Sequence, residues 1–185
     1  MHEIEFIKQF IKHPRTVGAV IPSSKQLAKQ MIAPIQFANA KSIVEYGPGT
    51  GIFTEQLIEH KEDKTVLLVI ESNEGFYDTL KDRYCGFRNV HIIHDSAERI
   101  DRYIQEYQVS KVNYIVSGLP FTSLPISVSK NILMKTKDIL ENKGEFITFQ
   151  YSQFKKEFFE SFFTHIEVKK VHWNVPPAYV FICRA

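Results

Sequence analysis

Apolar and polar positions change period several times along the chain, and each change marks an element. Residues 66–70 (Val-Leu-Leu-Val-Ile) are unbroken apolar, as a strand covered on both faces requires. Shorter strand-like runs lie at 42–44, 90–94, 114–116 and 145–151, and 166–171 and 178–183 bring the predicted strands to seven. Between them the spacing turns helical. Ile52, Phe53, Leu57 and Ile58 mark one helix and residues 74–83 a second; Ile100, Tyr103, Ile104 and Tyr107 mark a third, core-facing one. Val128, Ile132, Leu133, Ile139 and Leu140 mark a fourth, which Asn142-Lys143-Gly144 is expected to close. Residues 155–163 read as a helix with a phenylalanine face. Strands alternating with helices predict a doubly wound α/β sheet.

The amino-terminal part has a different pattern. Ile4, Phe6, Ile7, Phe10 and Ile11 fall within an arc of roughly 160° on a helix over 1–13, with Glu5, Lys8, Gln9 and Lys12 opposite, and Pro14 ends it. Such a helix either packs on its own domain or lies in a membrane interface. Charge favours the second reading: the chain carries +2 overall, but its first thirty residues carry +3. Residues 15–24 follow as a small, apolar segment, expected to act as a lid. Ser23 and Gln26 have the spacing of a capping box, so a helix is expected from Ser23 to about Met31.

Composition narrows the class. With 185 residues, 44% of them apolar, one domain with a real core is expected: 1–31 as amino-terminal helices and lid, 41–185 as the sheet. A net charge of +2 does not call for a nucleic-acid partner. Cys85 and Cys183 have no metal or redox spacing, so reduced thiols in a cytoplasmic protein and no metal site are expected. No apolar run approaches the ~20 residues that span a bilayer, and Glu3 and Glu5 spoil a signal peptide.

The candidate chemistry begins at Glu45-Tyr46-Gly47-Pro48-Gly49-Thr50-Gly51, a strand end, a glycine turn and a helix start. Glycines let the backbone take positive φ and let a ligand lie against it, and the helix end offers free N–H groups. Glu71 ends the second strand about twenty residues on, where a carboxylate accepts both hydroxyls of a ribose. The turn lacks the Gly-x-x-Gly spacing that seats a pyrophosphate. Glu45, ahead of the first glycine, suits a ligand with a positive amino group and no phosphates. That ligand is S-adenosylmethionine. Asp95 and Ser96 end the third strand, placed to accept from the adenine amine or to cap a helix. Ser117-Gly118-Leu119-Pro120-Phe121 ends the fourth strand at the ligand edge, and the fifth ends in Phe149-Gln150-Tyr151-Ser152.

The glycine turn resembles the first motif of the class I methyltransferases. The resemblance implies a Rossmann-like, seven-stranded, mostly parallel sheet with an antiparallel last strand, inserted beside the sixth. Within that class two families resemble the chain. The ribosomal RNA adenine dimethylases carry Asn, Leu or Ile, Pro, then Phe or Tyr after the fourth strand. Here those places hold Gly118, Leu119, Pro120 and Phe121, and the chain stops after the seventh strand without the helical RNA-binding domain. RNA is therefore the less expected acceptor.

The bacterial phospholipid N-methyltransferases, which methylate phosphatidylethanolamine, are similar over nearly the whole chain. The similarity includes His13-Pro14, Val17 to Val20, Pro22-Ser23-Ser24, Glu45 to Gly51, Ser117 to Pro120, Ser123-Leu124-Pro125, Phe149-Gln150-Tyr151, and Asn174 with Pro176-Pro177-Ala178. Two family arginines are replaced by Trp173 and Tyr179.

The expected activity is methyl transfer from S-adenosylmethionine to a phospholipid amine at the inner membrane face, with residues 1–15 as the peripheral contact. The cofactor residues are Glu45, Gly47, Gly49, Gly51, Glu71, Asp95, Ser96 and Ser117. Ser117, Leu119, Phe121 and Tyr151 face the methyl group, Tyr151 orienting the amine and His172 a second candidate. Phe121 and Trp173 are expected against a methylated ammonium. An RNA adenine or small-molecule N-methyltransferase is the alternative enzyme. A non-catalytic membrane-associated module that keeps the cofactor pocket is the alternative of another class.

Overall fold

The structure, a computed structural model, describes residues 21–153, 156–171 and 177–184, with the side chains of 21–24 and 141–143 outside the description. The helix expected over 1–13, the lid up to residue 20, and His172, Trp173 and Asn174 lie outside the described residues.

The sheet is built outward from β1 (Ser42–Tyr46), all five of whose residues are buried. β2 (Val66–Glu71) and β4 (Val112–Ser117) flank it in parallel, pairing Tyr46 with Ile70 on one side and with Ser117 on the other. β3 (Val90–His94) extends one edge, and β5 (Leu140–Gln150), β7 (Ala178–Arg184) and β6 (His165–Val171) extend the other. The order is β3-β2-β1-β4-β5-β7-β6, with β7 antiparallel to both its neighbours. The chain thus winds away from β1 in both directions, and the carboxyl ends of β1 and β4 mark the switch point, the place where ligands bind in such sheets.

Period-two alternation inside the apolar runs feeds two cores. Ile43, Leu67 and Val69 face one side and pack on α1 (Ile21–Ile32), α2 (Ile52–His60) and α3 (Glu74–Tyr84) through Leu27, Met31, Phe53, Leu57 and Leu80. Val44, Leu68 and Ile70 face the other and pack on α4 (Ile100–Glu106), α5 (Ile126–Ile139) and α6 (Lys156–Glu160) through Ile100, Tyr103, Ile132, Leu133 and Phe159. Burial on both faces explains why β2 reads as a continuous apolar run.

Three boundaries differ from the sequence reading. α1 already includes Ile21, so Ser23 sits inside the helix and is not its cap. α5 stops at Ile139 because Leu140 turns extended (φ −69°, ψ 140°) and pairs with Val112; Asn142-Lys143-Gly144 therefore lies within β5 and does not close the helix. The pairing shifts register before Glu145 meets Tyr114, which absorbs these residues as a bulge. α6 ends at Glu160, although Phe163 beyond it stays buried.

Candidate active site

The glycine turn leaves β1 in the left-handed region at all three glycines, with φ of +60° at Gly47, +56° at Gly49 and +84° at Gly51. Side-chain-bearing residues resist that conformation, which is why glycine recurs there. The turn is tied on both sides: Gly47 N–H donates to the Ile70 carbonyl (2.9 Å) and Gly51 N–H to the Pro48 carbonyl (3.0 Å). Gly51 caps α2 with no side-chain hydrogen bond. A Cβ at Gly49 would meet nothing within 4 Å, so the turn has an open side there.

Glu71, at the end of β2, is buried and ties the corner together. Its Oε2 accepts from Gly49 N–H (3.1 Å) and its Oε1 from Asn73 N–H (2.8 Å). Asp95 follows β3. Its Oδ2 accepts from the Tyr103 hydroxyl (2.7 Å) and its Oδ1 from Ser96 N–H (2.7 Å), with Arg99 at 3.5 Å. Partial burial pushes this carboxyl up, but these donors outweigh it and hold the group below the usual range. The cap of the following turn is Ser96, whose Oγ accepts from Glu98 N–H (3.2 Å).

Glu45 is the unusual group. It points to the face covered by α2 and α3, is fully buried, and neither carboxyl oxygen has a hydrogen-bond partner. Burial pushes its pKa up to about 8, Glu71 adds to the rise, and Thr54 pulls it part of the way down without reaching hydrogen-bonding geometry. The Thr54 Oγ1 and Tyr84 hydroxyl are also buried and unpartnered. A Cβ at Gly51 would lie 3.6 Å from Tyr84 Cε2 and 3.7 Å from Thr54 Oγ1, so this polar group sits directly under the turn. Sequence reasoning missed Thr54 and Tyr84; a polar position on an otherwise apolar helix face was the signal available.

The loop after β4 interlocks with the turn. Gly118 N–H donates to the Tyr46 carbonyl (2.8 Å), and a Cβ at 118 would be driven well inside 3.0 Å of the Gly47 carbonyl oxygen. In return, a Cβ at Gly47 would lie 2.7 Å from Leu119 Cδ2. From β5, Thr148 Oγ1 donates to the Ser117 carbonyl (3.2 Å) and Gln150 Nε2 to the Leu119 carbonyl (3.4 Å). Thr148 and Gln150 had not been singled out as loop anchors; they share one face of β5 at period two.

Two expected site residues are fully buried. The Ser117 hydroxyl is buried and accepts from Leu119 N–H (3.2 Å), which shapes the loop. Phe121 is fully buried in the second core, its ring 5.5 Å from Phe159 and 6.0 Å from Phe146. Those rings, brought from α6 and β5, enclose it in the core. Leu119 does flank the glycine turn. Tyr151 is half-buried on the Glu45 side of the sheet, its ring 5.6 Å from Phe149, which meets Phe53 of α2 at 5.8 Å. Burial pushes its hydroxyl pKa up.

Residues 14–160 match the ribosomal RNA adenine dimethylase family. The chain belongs to that family. It is also 26% identical over 184 residues to the ornithine lipid N-methyltransferase of Singulisphaera acidiphila, covering 97% of this chain and 94% of that protein. It is 24% identical over 129 residues to ribosomal RNA small subunit methyltransferase A of Hydrogenobaculum sp., covering 70% of this chain and 47% of that one. The chain thus spans about half the length of that ribosomal enzyme, but nearly all of the lipid enzyme. Among solved structures, an rRNA methylase from Streptococcus thermophilus superimposes with a TM-score of 0.62 at 16% identity, over 85% of this chain and 94% of that one, a likeness of fold.

The protein is therefore an S-adenosylmethionine-dependent methyltransferase with a Rossmann-like sheet. The corner fits that cofactor: an open glycine turn, an unpartnered carboxyl beneath it and a carboxylate at the end of β2.

Proposed function

We propose that the protein N-methylates the amine of a lipid headgroup, of the ornithine-lipid or phosphatidylethanolamine class, at a membrane surface. The observation that carries this reading is position 118. The adenine dimethylases, which the loop after β4 resembles, carry an Asn there whose side-chain oxygen accepts from the base amine. Here the residue is glycine, pressed so close to the Gly47 carbonyl that no side chain fits without moving one loop. The similarity to a lipid N-methyltransferase over 94% of its length supports the same acceptor class.

The cofactor brings an electrophilic methyl group on a sulfonium sulfur. In this reading Glu71 accepts from the ribose hydroxyls, Asp95 from the adenine amine, and Glu45 faces the ammonium. In-line displacement needs the acceptor nitrogen aligned with the methyl group. The loop of Gly118 and Leu119, tied to β1 and β5, provides the fixed wall for that alignment. The amine must also lose a proton, and Tyr151 orients it. Residues 1–15, with Lys8, Lys12 and Arg15, make the peripheral contact with anionic lipid at the inner face of the cell membrane.

The test offers labelled cofactor with three acceptors side by side: vesicles containing phosphatidylethanolamine, vesicles containing ornithine lipid, and total ribosomal RNA. Label is expected in a lipid amine. Label in RNA alone would replace this reading with the second one, RNA adenine methylation, which the family match favours.

A further inference from the structure

Under the glycine turn lies a group of buried polar atoms that make no hydrogen bond within the protein. Glu45 is fully buried with both carboxyl oxygens unpartnered, and the Thr54 and Tyr84 hydroxyls, which both reach under Gly51, are unpartnered too. The groups acting on Glu45 come from each element packed over it. Thr54 comes from α2; Glu71, from β2, is a carboxylate and not a cation. Tyr84, from α3, lies within its electrostatic reach and is itself acted on by Arg83 and Glu55. The neighbouring strand residues, Val69 and Val116, are apolar. An ionised carboxylate in this setting has no cation beside it and no hydrogen-bond partner from the protein, which is a costly state.

We propose that Glu45 holds a proton in the free protein and gives it up when the cofactor's ammonium arrives, with Thr54 and Tyr84 as positioning residues, so that cofactor binding is coupled to proton release. The balance is simple: the carboxylic acid plus the bound ammonium becomes a carboxylate–ammonium pair, and one proton leaves to solvent. The free-state pKa of about 8 places this exchange in the neutral range. An opposite charge beside the carboxyl lowers that value in the complex. The acidic residue of this motif thereby does more than attract the ammonium: it makes affinity rise with pH.

Calorimetry of S-adenosylhomocysteine, which keeps the ammonium but has no methyl group to transfer, tests this without turnover. In buffers of different ionisation heat at pH 7, most of one proton should be released on binding, and affinity should climb by up to tenfold per pH unit toward pH 8, then flatten. Two comparisons assign the proton. Glu45→Gln keeps the shape and neutrality of the acid, and should bind more weakly with the Glu45 proton missing. Whatever the ligand's own amine exchanges is common to both proteins, so the difference belongs to Glu45. Methylthioadenosine, which lacks the amino-acid end, should bind with no proton release. Thr54→Val and Tyr84→Phe should move the midpoint of the pH profile; unmoved midpoints would remove those two as positioning residues. Wild-type binding with no buffer-dependent heat and a flat affinity from pH 6 to 8 would overturn the proposal. So would equal release with methylthioadenosine.

Discussion

Gly118→Ala is the smallest change that tests how the two loops of the active site fit. The new Cβ would be forced well inside 3.0 Å of the Gly47 carbonyl oxygen, with the Gly47 carbonyl carbon at 3.5 Å and the Tyr46 carbonyl oxygen at 3.7 Å. All three are backbone atoms, so no rotamer change relieves the conflict. Either the glycine turn or the loop after β4 must move by about 1 Å, and overpacking of this kind costs about 1–3 kcal/mol. For a chain of this size each kcal/mol lowers Tm by about 2–4 °C. A melting curve should therefore fall by roughly 2–12 °C. Turnover should suffer more than stability, because a displacement of ~1 Å in an aligned displacement reaction costs on the order of 10²-fold. The hydrogen bond from Gly118 N–H to Tyr46 stretches in the same movement. Steady-state kinetics with a lipid acceptor, read beside the melting curve, gives both numbers. Leu119→Ala leaves both glycines alone and separates a displaced loop from a lost apolar contact. A Gly118→Ala protein with unchanged Tm and kcat would refute the interlock and the use of position 118 as an acceptor filter.

Three further expectations follow from single residues. Glu71→Ala strands the Gly49 and Asn73 N–H donors and removes the proposed ribose acceptor, so calorimetry should show cofactor binding weakened by about 1–3 kcal/mol. Phe121→Ala empties a fully buried ring site and should cost about 3–5 kcal/mol in urea unfolding, with cofactor affinity per folded molecule unchanged; a loss of turnover without a loss of stability would return Phe121 to the methyl group. Glu45 has a folded pKa near 8, above its unfolded value of 4.5, so the native state holds a proton that the unfolded chain has lost. Its contribution to stability is present below pH 4.5 and declines by up to about 1.4 kcal/mol per unit as pH rises to 8. Unfolding curves of the wild type and of Glu45→Gln should diverge over that window, with the Gln protein gaining at high pH; parallel curves would mean that Glu45 is already ionised.

The parts of this fold legible in the sequence were those decided locally. β2 announced itself because both of its faces are buried, and the glycines because three positions need positive φ. What escaped depended on distant contacts. Phe121 stands in a loop at the ligand edge, and only the arrival of Phe146 and Phe159 turns it into the core. Asn142-Lys143-Gly144 has the composition of a helix terminus, yet Leu140 pairs with Val112 first and carries those residues into the strand. The glycine at 118 was visible as the loss of an asparagine, but its reason was not: the Gly47 carbonyl occupies the space that a side chain would need.

That occupied space bears on how many methyl groups an acceptor can take. Each transfer removes an N–H donor and makes the nitrogen bulkier and more apolar. A site that grips the amine through a side-chain oxygen loses its grip at each step. Position 118 has no such oxygen, and the side chain beside the turn is the apolar Leu119. Tyr151 lies half-buried on the same side of the sheet as Glu45 and is linked through Phe149 and Phe53 to the first turn of α2. An aromatic face holds a methylated ammonium at least as well as a primary one. On the lipid reading, successive methylation is therefore expected, and Tyr151 should matter most for the later steps. Mass spectrometry of the lipid product resolves the steps. Tyr151→Phe should still give the fully methylated amine, whereas Tyr151→Ala should stall with the monomethyl product accumulating. If Tyr151→Ala slows every step equally, the ring serves the fold of the β5 end and not the methylated headgroup.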